Sequence, residues 1–186
     1  VNVGGGIFTV VVPIYVRDVL HAGPELFGLL LSVTTAGELL GLLVVGAVSW
    51  RWPLGRSIAW SLLLSGMVIA PWALSPPELP LAAMLFAWGA VSSSLTPWAQ
   101  TIRMRLIPPE MRGRVFAVLR TSMQSTRPIG AVVAGLLLGA GGLSTAIVAM
   151  VLLFAVPGLV GIGLPALGRG PTAEPEASRS VVEPTP

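Results

Sequence analysis

Six apolar runs, each close to the length of a membrane crossing, follow one another along this chain with short polar gaps between them. A helix needs about 20 mostly apolar residues to cross a bilayer. The runs cover roughly residues 1–16, 27–48, 57–74, 81–102, 115–140 and 143–164. Lipid cannot satisfy backbone N–H and C=O groups, so runs of this length must be helices that pair those groups internally. Only 10% of the residues are charged, against about 25% in soluble domains, so the outside of the fold must meet lipid. These facts predict an all-α, polytopic membrane bundle of about six transmembrane helices over residues 1–165. From residue 166 to 186 the chain turns rich in Pro, Glu, Ser and Thr, which predicts a disordered tail. Residues 1–12 already read like the interior of a helix, which suggests a fragment of a longer protein.

Composition removes several classes of function. There is no Cys, so disulfides, thiol catalysis and thiolate metal sites are excluded. The net charge of +3 sets eleven arginines, without a lysine, against eight acids, and most of the arginines lie in gaps between apolar runs. A nucleic-acid surface would instead cluster them on a polar face, so no nucleic-acid partner is expected. No Walker loop, metalloprotease helix or nucleophile elbow is present, and no acid cluster suits a metal. Neither enzyme chemistry nor a cofactor is therefore expected.

The arginines predict an orientation, because positive loops stay in the cytoplasm. The gap at 49–56 holds Arg51 and Arg56, and the gap at 103–114 holds Arg103, Arg105, Arg112 and Arg114 against Glu110 alone. The gaps at 17–26 and 75–80 carry Arg17 balanced by Asp18, Glu25 and Glu78. Two spans separate the Arg-rich gaps, so both fall on one side, with both chain ends. The localisation expected is a bacterial cell membrane, multi-pass, with a cytoplasmic C-terminus. Trp50, Trp52, Trp60 and Trp72 are placed as an interfacial belt, whereas Trp88 falls too deep for it.

Ionisable residues inside spans are the main functional candidates. Glu38 lies near the middle of the second run, where a charge costs at least about 2.5–3.5 kcal/mol. It is a proton-coupling or cargo-binding carboxylate, one half of a structural ion pair, or a protonated group with a local hydrogen bond. Arg127 reaches a similar depth from the fifth run and is its expected partner across one aqueous cavity. Arg120 lies nearer the membrane surface and is expected to snorkel. Gln100, Gln124 and Ser92 to Ser94 are further polar candidates for cargo or helix–helix contacts. Small residues form two seams, Gly28, Ser32 and Ala36 followed by Gly37 and Gly41 in the second run, and Gly130, Ala134, Gly135 and Gly139 in the fifth. Such seams let helices approach closely. Pro13, Pro71, Pro97, Pro128 and Pro157 add expected kinks.

The run from Ile107 to Leu137, IPPEMRGRVFAVLRTSMQSTRPIGAVVAGLL, resembles the region between the tenth and eleventh helices of major facilitator superfamily transporters. Within that family it looks most like the branch of enterobactin exporters and macrolide efflux proteins. The run Phe27 to Val48 resembles the eighth helix. The cytoplasmic loop motif is represented by Gly46, Arg51, Glu110, Arg112, Gly113 and Arg114. In GAVSWRWPLGR, Gly46 and Arg51 fit the family's G-x-x-x-D-R-x-G-R pattern. Trp50 replaces the acid, and Gly55 and Arg56 come two residues late, so the gating role of that acid does not carry over. The resemblance implies the C-terminal half, helices seven to twelve, of a twelve-helix transporter working by alternating access. It implies proton-coupled export of drugs or siderophore-like molecules, with the bilayer, the N-terminal six-helix half, a small-molecule cargo and protons as partners. The competing reading is a non-transporting membrane module.

Overall fold

The computed structural model describes residues 2–47 and 53–168. Arg51, Trp50, Trp52 and the tail from 169 onward lie outside the described residues. The elements are α1 (Asn2–Asp18), α2 (Pro24–Ala47), α3 (Leu54–Ile69), α4 (Glu78–Ser92), α5 (Leu95–Leu106), α6 (Arg112–Gly163) and a short α7 (Pro165–Gly168). Two 3-10 turns, Ala70–Leu74 and Pro109–Met111, extend α3 and lead into α6. No strand occurs among the described residues. Several starts follow from proline, whose missing N–H costs nothing in a first turn. α2 opens on Pro24 and Glu25, and α4 follows Pro77 with Glu78; each acid also meets the positive end of its helix dipole.

The 52 residues of α6 do not form one rod. Gly142 has φ 74° and ψ −169°, a region that only glycine occupies without strain. Neighbours on α1 show what this break does. A Cβ on Gly6 would lie 2.9 Å from Gly130 Cα, and one on Gly4 would lie 2.7 Å from the Phe154 ring. In a continuous helix, residues 130 and 154 would be about 36 Å apart at 1.5 Å per residue. They meet adjacent residues of α1 because the chain folds back at Gly142. The two arms, 112–141 and 143–163, coincide with the fifth and sixth apolar runs.

Four helical stretches are long and apolar enough to cross a membrane: Pro24–Ala47, Leu54–Leu74, Glu78–Leu106 and Pro109–Gly163. The last supplies two passes. α1, with 17 residues, spans about 25 Å and completes six apolar rods. The fourth run forms one span, Glu78–Leu106, interrupted close to Pro97, where a kink was expected. It splits at Ser93–Ser94 between α4 and α5. Pro97 cannot donate to the carbonyl four residues before it, and the serine hydroxyls compete for local carbonyls. Ser93 Oγ donates to Ala90 O at 2.9 Å and Ser94 Oγ to Val91 O at 3.0 Å. Ser61 of α3 donates to the same Val91 O at 2.6 Å, so the break is held from a second helix.

Glycines set the helix spacing. Gly37 and Gly41 of α2 lie directly on the backbone carbonyls of Phe86 and Ala90 in α4. The register advances together, so α2 and α4 run parallel. Gly66 of α3 meets Ala155, and Gly158 meets Leu63, which makes α3 antiparallel to the second arm of α6. Gly130 forms the α1 contact, and both it and Ala134 are buried. Of each predicted seam, then, one part packs within the bundle. Gly28, Ser32 and Ala36 are instead exposed, as are Gly135 and Gly139.

The core is aromatic. Phe8 stacks on Trp88 with centroids 4.7 Å apart, and Trp88 meets Phe154 edge-on at 5.9 Å. Trp72 packs edge-on against Phe8 and Tyr15. The depth of Trp88 is thereby explained. Trp72 departs from its expected place: it is fully buried, because the 3-10 turn around Pro71 folds it back over α1 rather than toward the membrane surface. Trp60 is exposed, as a belt residue would be. Leu29, Leu43, Leu136 and Leu159 are all more than half exposed; in water this surface would be untenable, and it fits a lipid solvent.

Candidate functional site

Several of the polar residues that interrupt apolar helices collect in one place. Along α5, Thr96, Gln100 and Arg103 recur at spacings of four and three, which puts them on one face. Along the first arm of α6, Phe116, Arg120, Met123 and Arg127 do the same, with Gln124 beside them. Both faces line a single open cleft of about 600 Å³, closed on one side by Asn2 at the start of α1. The cleft exists because these faces do not interlock. The direct link across it is the Arg103 guanidinium, which donates to Met123 Sδ at 3.8 Å.

Depth can be read along the helices. Arg120 and Arg127 lie 8 and 15 residues from the start of α6 at Arg112, or about 12 and 22 Å. Arg103 lies three residues before the end of α5 at Leu106, and Gln100 about one turn deeper. The cleft thus runs from the Arg-rich end of the bundle to about mid-span.

Of the residues singled out from sequence, Gln100, Gln124 and Arg127 come together here. Glu38 does not join them. It is exposed on α2, beside the face that packs on α4, and its backbone N approaches Gly89. The expected Glu38–Arg127 ion pair is not formed. Among the described residues the ion pair within bonding distance is Arg17–Asp18 at 2.6 Å, at the end of α1. The reason is placement: Glu38 packs beside α4, whereas Arg127 is on an arm held by α1.

Arg103 and Asn2 line the cleft without having been singled out from sequence, and Arg120, expected to snorkel, lines it too. The four-and-three spacing shared by α5 and α6 was the available signal. In the loop motif, Arg112 turns back to α5. Its Nε donates to Ile107 O at 3.2 Å and its Nη2 to Met104 O at 3.0 Å, satisfying carbonyls that a helix end leaves orphaned. Gly46, Glu110, Gly113 and Arg114 are exposed at helix ends. A Cβ on Gly46 or Gly113 would meet nothing. The described residues contain no group of three His, Cys, Asp or Glu able to hold a metal.

The sequence profile described as Major Facilitator Superfamily matches residues 2–185. The chain belongs to this superfamily. It is a multi-pass membrane protein of a transporter family. Among its relatives, the multidrug efflux pump Tap of Mycobacterium tuberculosis and that of Mycobacterium bovis are each 31% identical over 160 residues. That alignment covers 86% of this chain and 38% of the relative. The multidrug efflux pump Tap of Mycolicibacterium fortuitum is 29% identical over the same length and coverage. The chain therefore spans well under half the length of the relatives it matches. No solved structure matches it.

Proposed function

We propose that this chain is the C-terminal six-helix part of a secondary active exporter that moves small molecules by alternating access. The observation that carries the reading is the polar cleft between α5 and the first arm of α6, inside an otherwise apolar bundle. A membrane protein bears the cost of polar residues at mid-span where they line a path for polar cargo. The efflux direction is supported by the relatives that are multidrug efflux pumps. The exposed Gly28–Ser32–Ala36 and Gly135–Gly139 stripes suit close contact with further helices, which an N-terminal half would supply.

Proton coupling and Glu38 belong to this proposal. The chain has five carboxylates among its described residues, and Glu38 is the one placed deep within a span. In the cell membrane the Arg-rich loops face the cytoplasm. The test is dye retention in a pump-deficient bacterium expressing the full-length protein, loaded with ethidium or, through its ester, calcein. Lower retention of either dye, reversed by a protonophore, is expected. Equal retention with and without the protein would leave the non-transporting module standing. Glu38→Gln is expected to abolish the protonophore-sensitive component. Wild-type behaviour of that variant would remove Glu38 from coupling and leave export intact.

A further inference from the structure

The cleft carries charge of one sign only. Arg103, Arg120 and Arg127 line it, and no carboxylate does. Among the described residues none of the three forms an ion pair. Guanidinium groups keep their charge in any protein environment. Three of them beside a lipid-embedded bundle, one near mid-span, raise the local potential and call for an anionic counter-charge. Gln100 and Gln124 add neutral amide donors between the arginines. The planar forks of the arginines match carboxylate and phosphate oxygens two at a time. Phe116 and Leu119 supply an apolar wall along the same cleft.

We propose that this cleft is an oxyanion site, which takes the carboxylate, sulfonate or phosphate of an amphiphile on Arg103, Arg120 and Arg127. The amphiphile's apolar body lies against Phe116 and Leu119. The proposal deepens the exporter reading by assigning the charge of the cargo, and it rests on that reading only for the claim that the bound anion is carried. An anionic lipid headgroup offers the same chemistry, and the experiment separates the two sources.

The full-length protein is reconstituted in nanodiscs of phosphatidylcholine. Binding of radiolabelled taurocholate, an amphipathic sulfonate, is compared with binding of tetraphenylphosphonium, an apolar cation. Taurocholate is expected to bind and to weaken as salt rises. The triple variant Arg103→Gln, Arg120→Gln, Arg127→Gln is expected to lose at least tenfold in taurocholate affinity and to gain for the cation. The matching triple Arg→Lys variant, which keeps the charge but loses the forks, is expected to bind taurocholate with intermediate affinity, and the gain for the cation in the Gln variant shows that its loss is not misfolding. Displacement of taurocholate by added phosphatidylglycerol assigns the site to a lipid headgroup. Failure to displace it, with taurocholate uptake into inside-out vesicles, assigns it to cargo. Equal taurocholate affinity in the wild type and a folded Gln variant overturns the proposal, as does a wild-type preference for the cation. Dye export without Arg-dependent anion binding removes the oxyanion site and leaves the exporter reading. Arg-dependent binding without export of any compound does the reverse.

Discussion

Tyr15 shows how one polar atom can join distant parts of a membrane bundle. Its ring is buried against Trp72 at 5.5 Å, and its hydroxyl donates to Pro76 O at 2.7 Å across 61 residues. The bond ties the end of α1 to the loop between the 3-10 turn and α4. Pro76 and Pro77 cannot close that loop with backbone donors of their own. Tyr15→Phe keeps the ring and leaves a carbonyl short of its partner, so it is expected to cost about 1–2 kcal/mol. A lower melting temperature for the detergent-solubilised variant checks this; an unchanged one would mean that water replaces the hydroxyl. The glycines at helix crossings act at the same scale. At Gly37 and Gly41 the facing atoms are backbone carbonyls, which cannot rotate away as a side chain would.

At the level of elements, the hairpin in α6 depends on one dihedral pair. The stretch GAGG between the fifth and sixth runs was legible as a turn in the sequence. What the structure adds is which glycine bends the chain. Gly142 carries the positive φ, whereas a Cβ on Gly139 would meet nothing and its backbone is helical. Gly142→Ala is therefore expected to destabilise the bundle by about 1–3 kcal/mol, and Gly139→Ala to be neutral or slightly stabilising. Thermal unfolding of the two variants, followed by circular dichroism, separates them; equal melting points would refute the assignment. The α4–α5 break is the converse case. Three consecutive serines and a proline were visible, and a kink at Pro97 was the expectation. The structure adds a hydrogen bond to it from Ser61 of α3, 30 residues away, and no local pattern reveals that partner.

On the scale of the whole chain, the absence of cysteine from these 186 residues lets a single introduced one report their topology. Glu110, exposed in the 3-10 turn before α6, is suited to a label. Glu110→Cys is expected to react with a membrane-impermeant maleimide in inside-out vesicles and to resist it in intact cells. Labelling of intact cells would invert the orientation proposed from the arginines. The same inversion would place the mouth of the cleft outside, because Arg103 and Arg120 flank this turn.

The number of apolar rods, their helical nature and their approximate ends followed from sequence alone. Length and hydropathy are local properties, and lipid leaves the backbone no alternative to a helix. The polar residues within the spans were equally visible, and Gln100, Gln124 and Arg127 were already singled out. Their grouping was not, because it depends on which helix faces which. Only tertiary packing could place Glu38 beside α4, away from Arg127, and bring Arg103 and Arg120 into the cleft. Glycine contacts decide that packing: Gly6 and Gly130 draw α1 onto the first arm of α6, and Gly37 and Gly41 draw α2 onto α4. Many helix pairings are equivalent in sequence; the close approach of two backbones selects one.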